Sequence, residues 1–111
     1  MLSGYNAVKI LAREHADWLP VVEASLKCSK EYQNFAGKWV LEELNKSGWL
    51  GLRVGNKKVK WLPGLRILVA YEILRREGAA RGGRGAYYSM RDPEGVEKAL
   101  RELGFLKGSS S

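Results

Sequence analysis

Five arginines, Arg75, Arg76, Arg81, Arg84 and Arg91, fall within 17 residues that contain no lysine. The guanidinium is a planar fork that binds phosphate through two parallel hydrogen bonds and stacks on bases, so its exclusive use points to contact beyond a point charge. Gly78, Gly82, Gly83 and Gly85 are interleaved with them and let a backbone approach a ligand closely. Tyr87 and Tyr88 follow. On an extended segment one of that pair faces away from the core, where a ring beside arginines can stack a base. A second cationic group, Arg53, Lys57, Lys58 and Lys60, ends at Trp61. A ridge of this kind on a two-stranded ribbon suits phosphate contact and can enter a groove. Trp49 and Trp61 flank the ribbon as further stacking candidates, although core packing is the commoner fate of each.

No residue set supports catalysis in the same way. His15 is the single histidine and Cys28 the single cysteine, and together they cannot close a zinc site. His15 lies on an apolar helical stripe, the usual place of a half-buried packing residue. Glu42 stands four residues from both Lys38 and Lys46, the spacing of solvated pairs on a helix rather than of a carboxylate dyad. Arg81-Gly82-Gly83-Arg84-Gly85 is glycine-rich but lacks the Gly-Lys-Ser/Thr ending of a phosphate loop. The expectation is a non-enzymatic protein with no catalytic residue, no metal and no cofactor.

The charge of the whole chain agrees with this reading. The 111 residues carry a net charge of +7, distributed unevenly. Residues 1–52 are neutral, residues 53–91 hold ten Lys/Arg against Glu72 and Glu77, and residues 92–111 hold three Lys/Arg against four acids. A one-sided positive field recruits polyanions because neutralised phosphates release their counterions. Hydrophobic residues at 45% and charged residues at 28% describe a folded domain rather than a disordered one. No apolar run approaches the roughly 18 residues of a membrane span, and the first residues lack the pattern of a signal peptide. A lone cysteine fits a reducing compartment, so the expected location is the cytoplasm, with no membrane partner.

These side chains need elements to carry them. Val8, Leu11, Ala12, His15 and Trp18 mark a helix over residues 5–18, stopped before Pro20, and residues 21–28 form a second short helix. Ser29 is the expected N-cap of a third, with its stripe at Tyr32, Phe35, Ala36, Trp39, Val40 and Leu44 and its stop at Gly48. The period then shortens to two: Leu50, Leu52 and Val54, then Val59 and Trp61, with Gly55-Asn56 between them, predict a β-hairpin with one apolar and one basic face. After Pro63-Gly64, residues 65–77 are apolar on most sides and predict a covered central helix capped by Gly78. Residues 86–90 predict a strand. Asp92-Pro93 starts a last helix with its stripe at Val96, Ala99, Leu100 and Leu103, and Gly104 ends it. Phe105-Leu106 is expected as a short final strand. The fold class is therefore α+β: about five helices packed on a small antiparallel sheet of three to four strands, one β-hairpin included. One nucleic-acid-binding domain spans residues 1–107, and 108–111 is a tail.

Residues 68–106 contain Leu-Val-Ala-Tyr-Glu-Ile-Leu-Arg-Arg-Glu-Gly and then Pro-Glu-Gly-Val-Glu-Lys-Ala-Leu-Arg-Glu-Leu-Gly-Phe-Leu. They resemble segments of archaeal and bacterial winged-helix regulators, in which the second block ends the recognition helix. This chain departs from them in having glycine, arginine and Ala-Tyr-Tyr-Ser-Met in place of the middle helix, and no wing after Phe105. The element order and basic-aromatic content across residues 5–106 are also similar to the ThermoDBP single-stranded DNA-binding proteins of hyperthermophilic archaea. That resemblance implies helices on a small sheet and a basic cleft with hydrophobic residues that holds the strand. The expected function is non-catalytic binding of nucleic acid, DNA over RNA and single strands ahead of duplex. A winged-helix-like duplex binder, a basic protein-interaction module and a ribonucleoprotein component are the alternatives, and a dimer is compatible with all of them.

Overall fold

Asp92 holds two helices by their starts. Its Oδ1 accepts from Gly95 N at 3.2 Å, which caps helix α5 (Pro93–Glu102), and its Oδ2 accepts from Gly4 N at 2.9 Å, at the start of helix α1 (Gly4–Glu14). The two helices lie against each other, Ala7, Val8 and Leu11 meeting Val96, Ala99 and Leu100 in the buried layer. The crossing is tight enough to require glycine. A Cβ on Gly4 would stand 2.7 Å from the Asp92 carbonyl oxygen, and one on Gly95 would stand 2.8 Å from Tyr5 N. Asp92→Ala removes the cap and leaves the buried Gly4 N–H without its acceptor. It should cost about 2 kcal/mol, read by urea unfolding. Asp92→Asn, whose single carbonyl oxygen can accept from only one of the two N–H groups while its NH2 faces the other, should recover only part of that loss.

The computed structural model describes residues 3–54, 56–62, 64–79 and 86–105. Their elements form a single α+β unit of five helices, a three-stranded antiparallel sheet and a separate two-stranded hairpin. A 3₁₀ turn (Ala16–Trp18) follows α1 and leads into α2 (Leu19–Glu31), with Pro20 in its first turn. Helix α2 is the centre of the core, buried at Leu19, Val21, Val22, Ala24, Ser25, Leu26 and Cys28. Burial first, and then the carboxylates of Glu43, Glu31 and Glu42, push the Cys28 thiol up to about 11. Its labelling by a disulfide reagent should therefore be negligible near pH 8 and rise about tenfold per pH unit above that. Unfolding in denaturant should restore ordinary reactivity. No described helix is long and apolar enough to cross a membrane.

The third expected helix divides differently. Helix α2 continues through Ser29, whose hydroxyl donates to Leu26 O at 2.7 Å instead of capping a new helix. Tyr32 is already extended, and Phe35–Ala36 is a short strand, β1. Only Gly37–Lys46 is helical, as α3. Asn34 and Gly37 weaken a continuous helix locally. The pairings Phe35↔Tyr88 and Ala36↔Tyr87 and the complete burial of Phe35 outweigh what helix was left to gain.

The predicted hairpin is present as β2 (Leu52–Val54) and β3 (Lys57–Val59), antiparallel with Leu52 opposite Val59 and Arg53 opposite Lys58. The predicted helix over 65–77 is not. Helix α4 covers only Arg66–Ala70, Glu72 takes a left-handed backbone (φ 64°), and β4 runs Leu74–Ala79. A short apolar run fits a buried helix or a buried strand equally well by period. Here Leu74 and Ile73 are buried as the chain enters a strand. Gly78 is no helix cap: it sits in β4 at a bulge, where the register passes from Arg76↔Tyr88 to Gly78↔Tyr87.

Strand β5 (Ala86–Met90) lies where predicted and occupies the middle of the sheet, whose order is β1-β5-β4. Helix α5 ends as expected at Gly104 (φ 82°), with Phe105 N donating to Leu100 O at 2.9 Å. That bond makes a Schellman end. It turns Phe105 onto the core as a partly buried side chain, not into the final strand expected there. Leu106 and the tail lie outside the described residues.

Candidate nucleic-acid interface

Helix α4 and the β4–β5 pair face each other across an open groove of about 780 Å³. Arg66 and Arg76 line it, together with Val69, Ala70, Ala86, Tyr88 and Gly64, and no carboxylate belongs to its described wall. The register explains the placement. Arg76 sits opposite Tyr88 on β5, Arg75 opposite Ser89, and both arginines are exposed. They stand on a strand, not on the helix expected from the sequence, so neighbours in sequence point to opposite faces of the sheet. Arg75 accordingly shares its face with Ser89, whose hydroxyl donates to Glu77, while Arg76 turns to the groove.

Arg66 is the residue that sequence reasoning missed. It is exposed and is the one charged residue between Gly64 and Tyr71. That isolation in an apolar run was its only signal, and the long central helix expected there absorbed it. Arg91, by contrast, was grouped with the other arginines, yet it has a structural attachment. It is half-buried and donates to the Glu72 carbonyl at 3.0 Å and toward Glu72 Oε1 at 3.5 Å, bracing the left-handed turn that joins α4 to β4. Arg81 and Arg84 lie outside the described residues, in the connection between β4 and β5.

No family model, curated protein or solved structure matches this chain. The geometry of the chain itself therefore carries the interpretation.

The aromatic candidates separate cleanly. Trp49 and Tyr88 are each only 8% exposed and belong to the core. Tyr87 is half-buried and closes an aromatic row, 6.1 Å from Trp39, which in turn lies 4.9 Å from Tyr32. Trp61 is 53% exposed, so among the four candidates it alone presents a broad free face. It sits beside the hairpin cations Arg53, Lys57, Lys58 and Lys60, all exposed. The hairpin is tied to the helical layer by its buried Leu52 and by Arg53 N, which donates to Asp17 Oδ2 at 3.2 Å. His15 is a packing residue, edge-on to the Tyr71 ring at 5.8 Å. The basic stretch thus falls into two clusters, an arginine-lined groove between α4 and the β4–β5 pair and a lysine-rich ribbon next to one exposed tryptophan.

Proposed function

We propose that this protein binds double-stranded DNA without catalysis, through the groove between α4 and the β4–β5 pair. The observation that carries the reading is a described wall with two arginines and no carboxylate, next to a β4–β5 connection whose sequence adds Arg81 and Arg84. Such a surface gives phosphate contacts with little to stack upon, because Tyr88 is spent on the core. Phosphate contacts fix a protein on a duplex and dominate its affinity. B-form DNA is favoured over RNA because an A-form major groove is too narrow for side chains to read.

Of the two families that the sequence resembles, winged-helix regulators offer the analogy for this groove, with a changed assignment. The order α2, β1, α3, then α4 leading into β4 and β5, with the strands arranged β1-β5-β4, supports placing α4 in the recognition position. In that assignment the β4–β5 connection takes the place of the wing, and α5 follows as an accessory helix. The proposed location is the cytoplasm.

A second reading, single-stranded DNA held on the hairpin, is favoured by Trp61 alone. Stacking there would contribute roughly 1–3 kcal/mol per base. Labelled duplex, single-stranded DNA and RNA of equal length, titrated at two salt concentrations, separate the readings. The duplex should bind about tenfold or more tightly than either other form, with affinity falling steeply in salt. Tighter binding of single strands with quenching of tryptophan emission would replace the first reading by the second. Absence of binding to all three at low salt would end both.

A further inference from the structure

A second cavity, of about 470 Å³, lies where the β2–β3 hairpin meets α2, α3 and the end of α5. Its volume is within the range of small-molecule sites. Leu44, Trp49 and Phe105 supply an apolar lining. Trp49 is only 8% exposed, and its indole Nε1–H has no hydrogen-bond partner among the described residues. That N–H is itself shielded from the cavity, so Trp49 contributes apolar ring surface to the lining.

Two cations of the cavity wall face each other on the hairpin. Arg53 and Lys58 both line the cavity and stand directly opposite each other across the hairpin. Like charges at opposed positions of a ribbon repel, and an anion between them turns that repulsion into attraction. Lys27 adds a third cation from α2. None of the three makes an ion pair among the described residues. Of the carboxylates on the wall, Asp17 is engaged by Arg53 N and Glu43 by Lys46 Nζ at 3.5 Å. The wall as a whole carries the three cations and the three carboxylates Asp17, Glu23 and Glu43, so the place of an anion is set by the opposed Arg53–Lys58 pair and not by a net positive charge.

We propose that this cavity binds a small organic anion, a carboxylate or phosphate monoester with an aromatic or branched apolar body. The acid group lies between Arg53 and Lys58, and the apolar body rests on Leu44, Trp49 and Phe105. This assignment does not depend on DNA binding at the α4 groove, which uses other residues.

The test follows the indole N–H signals of the intact protein by heteronuclear NMR, with the Trp49 signal identified from Trp49→Phe. The probes are phenylacetate, phenyl phosphate and the neutral phenylacetamide. At least one of the two anions should move the Trp49 signal saturably at millimolar concentration, and whichever binds more tightly identifies the preferred acid group. Phenylacetamide should bind about tenfold more weakly. Arg53→Gln and Lys58→Gln, both at exposed positions, should each weaken anion binding several-fold while leaving the fold intact. The proposal is overturned if neither anion moves the Trp49 signal, if phenylacetamide binds as well as the anions, or if both variants keep full affinity.

Discussion

Replacing Arg66 and Arg76 together with alanine should weaken duplex DNA binding about ten- to a hundredfold near physiological salt. Arg76 lines the groove opposite Tyr88, and Arg66 lines it from α4. Both are exposed, and neither makes an ion pair among the described residues. The slope of log affinity against log salt should fall by about one unit for each phosphate that is no longer neutralised. Stability should change by less than about 0.5 kcal/mol, since exposed side chains outside networks contribute little. Fluorescence anisotropy at several salt concentrations, with thermal unfolding in parallel, measures both quantities. Unchanged affinity with an unchanged slope would remove the groove between α4 and β4 from the interface. The separation of effects matters, because a fall in affinity accompanied by a fall in stability would only report damage to the fold.

The largest effect on stability should come from Phe35→Ala, at about 3–5 kcal/mol. Phe35 is completely buried and belongs to a strand of two residues, whose partner β5 is the middle of the sheet. Deleting the ring opens a cavity beneath β5 and removes what holds β1 in register with Tyr87 and Tyr88. Against a total stability of about 5–15 kcal/mol for a domain of this kind, that loss removes from about a fifth to all of it. Chemical denaturation measures the loss directly. A cost below about 1 kcal/mol would mean that β1 is not anchored by this side chain. The same variant tests the reassignment of residues 32–36 from helix to strand: a Phe on the stripe of a surface helix would be partly exposed and would cost less.

The elements that were legible in the chain are those specified by neighbours in sequence. Asp92-Pro93 and Gly104 bound α5 by cap chemistry, and the period-two pattern around Gly55-Asn56 specifies β2 and β3. Residues 86–90 read as a strand and are one. Besides the final strand expected at Phe105, the errors fall at β1 and β4, both members of the sheet that pair only with β5. Two residues of strand carry no periodicity of their own. The run from Leu65 to Leu74 is apolar enough to satisfy either period, and the left-handed turn at Glu72, which decides the matter, is braced by Arg91 from 19 positions away. Such a contact is invisible to any local window.

By itself the sequence determined the class of fold, the location of the cationic excess between Arg53 and Arg91, and the helices α1, α2 and α5, because capping, periodicity and charge are properties of nearby residues. Tertiary structure alone decided that Arg75 and Arg76 stand on a strand, that Arg66 lines one groove with Arg76, and that Trp49 and Tyr88 are buried while Trp61 is exposed. An aromatic ring's free energy depends on which distant surface is available to cover it, and that is set only when β5 takes its place between β1 and β4.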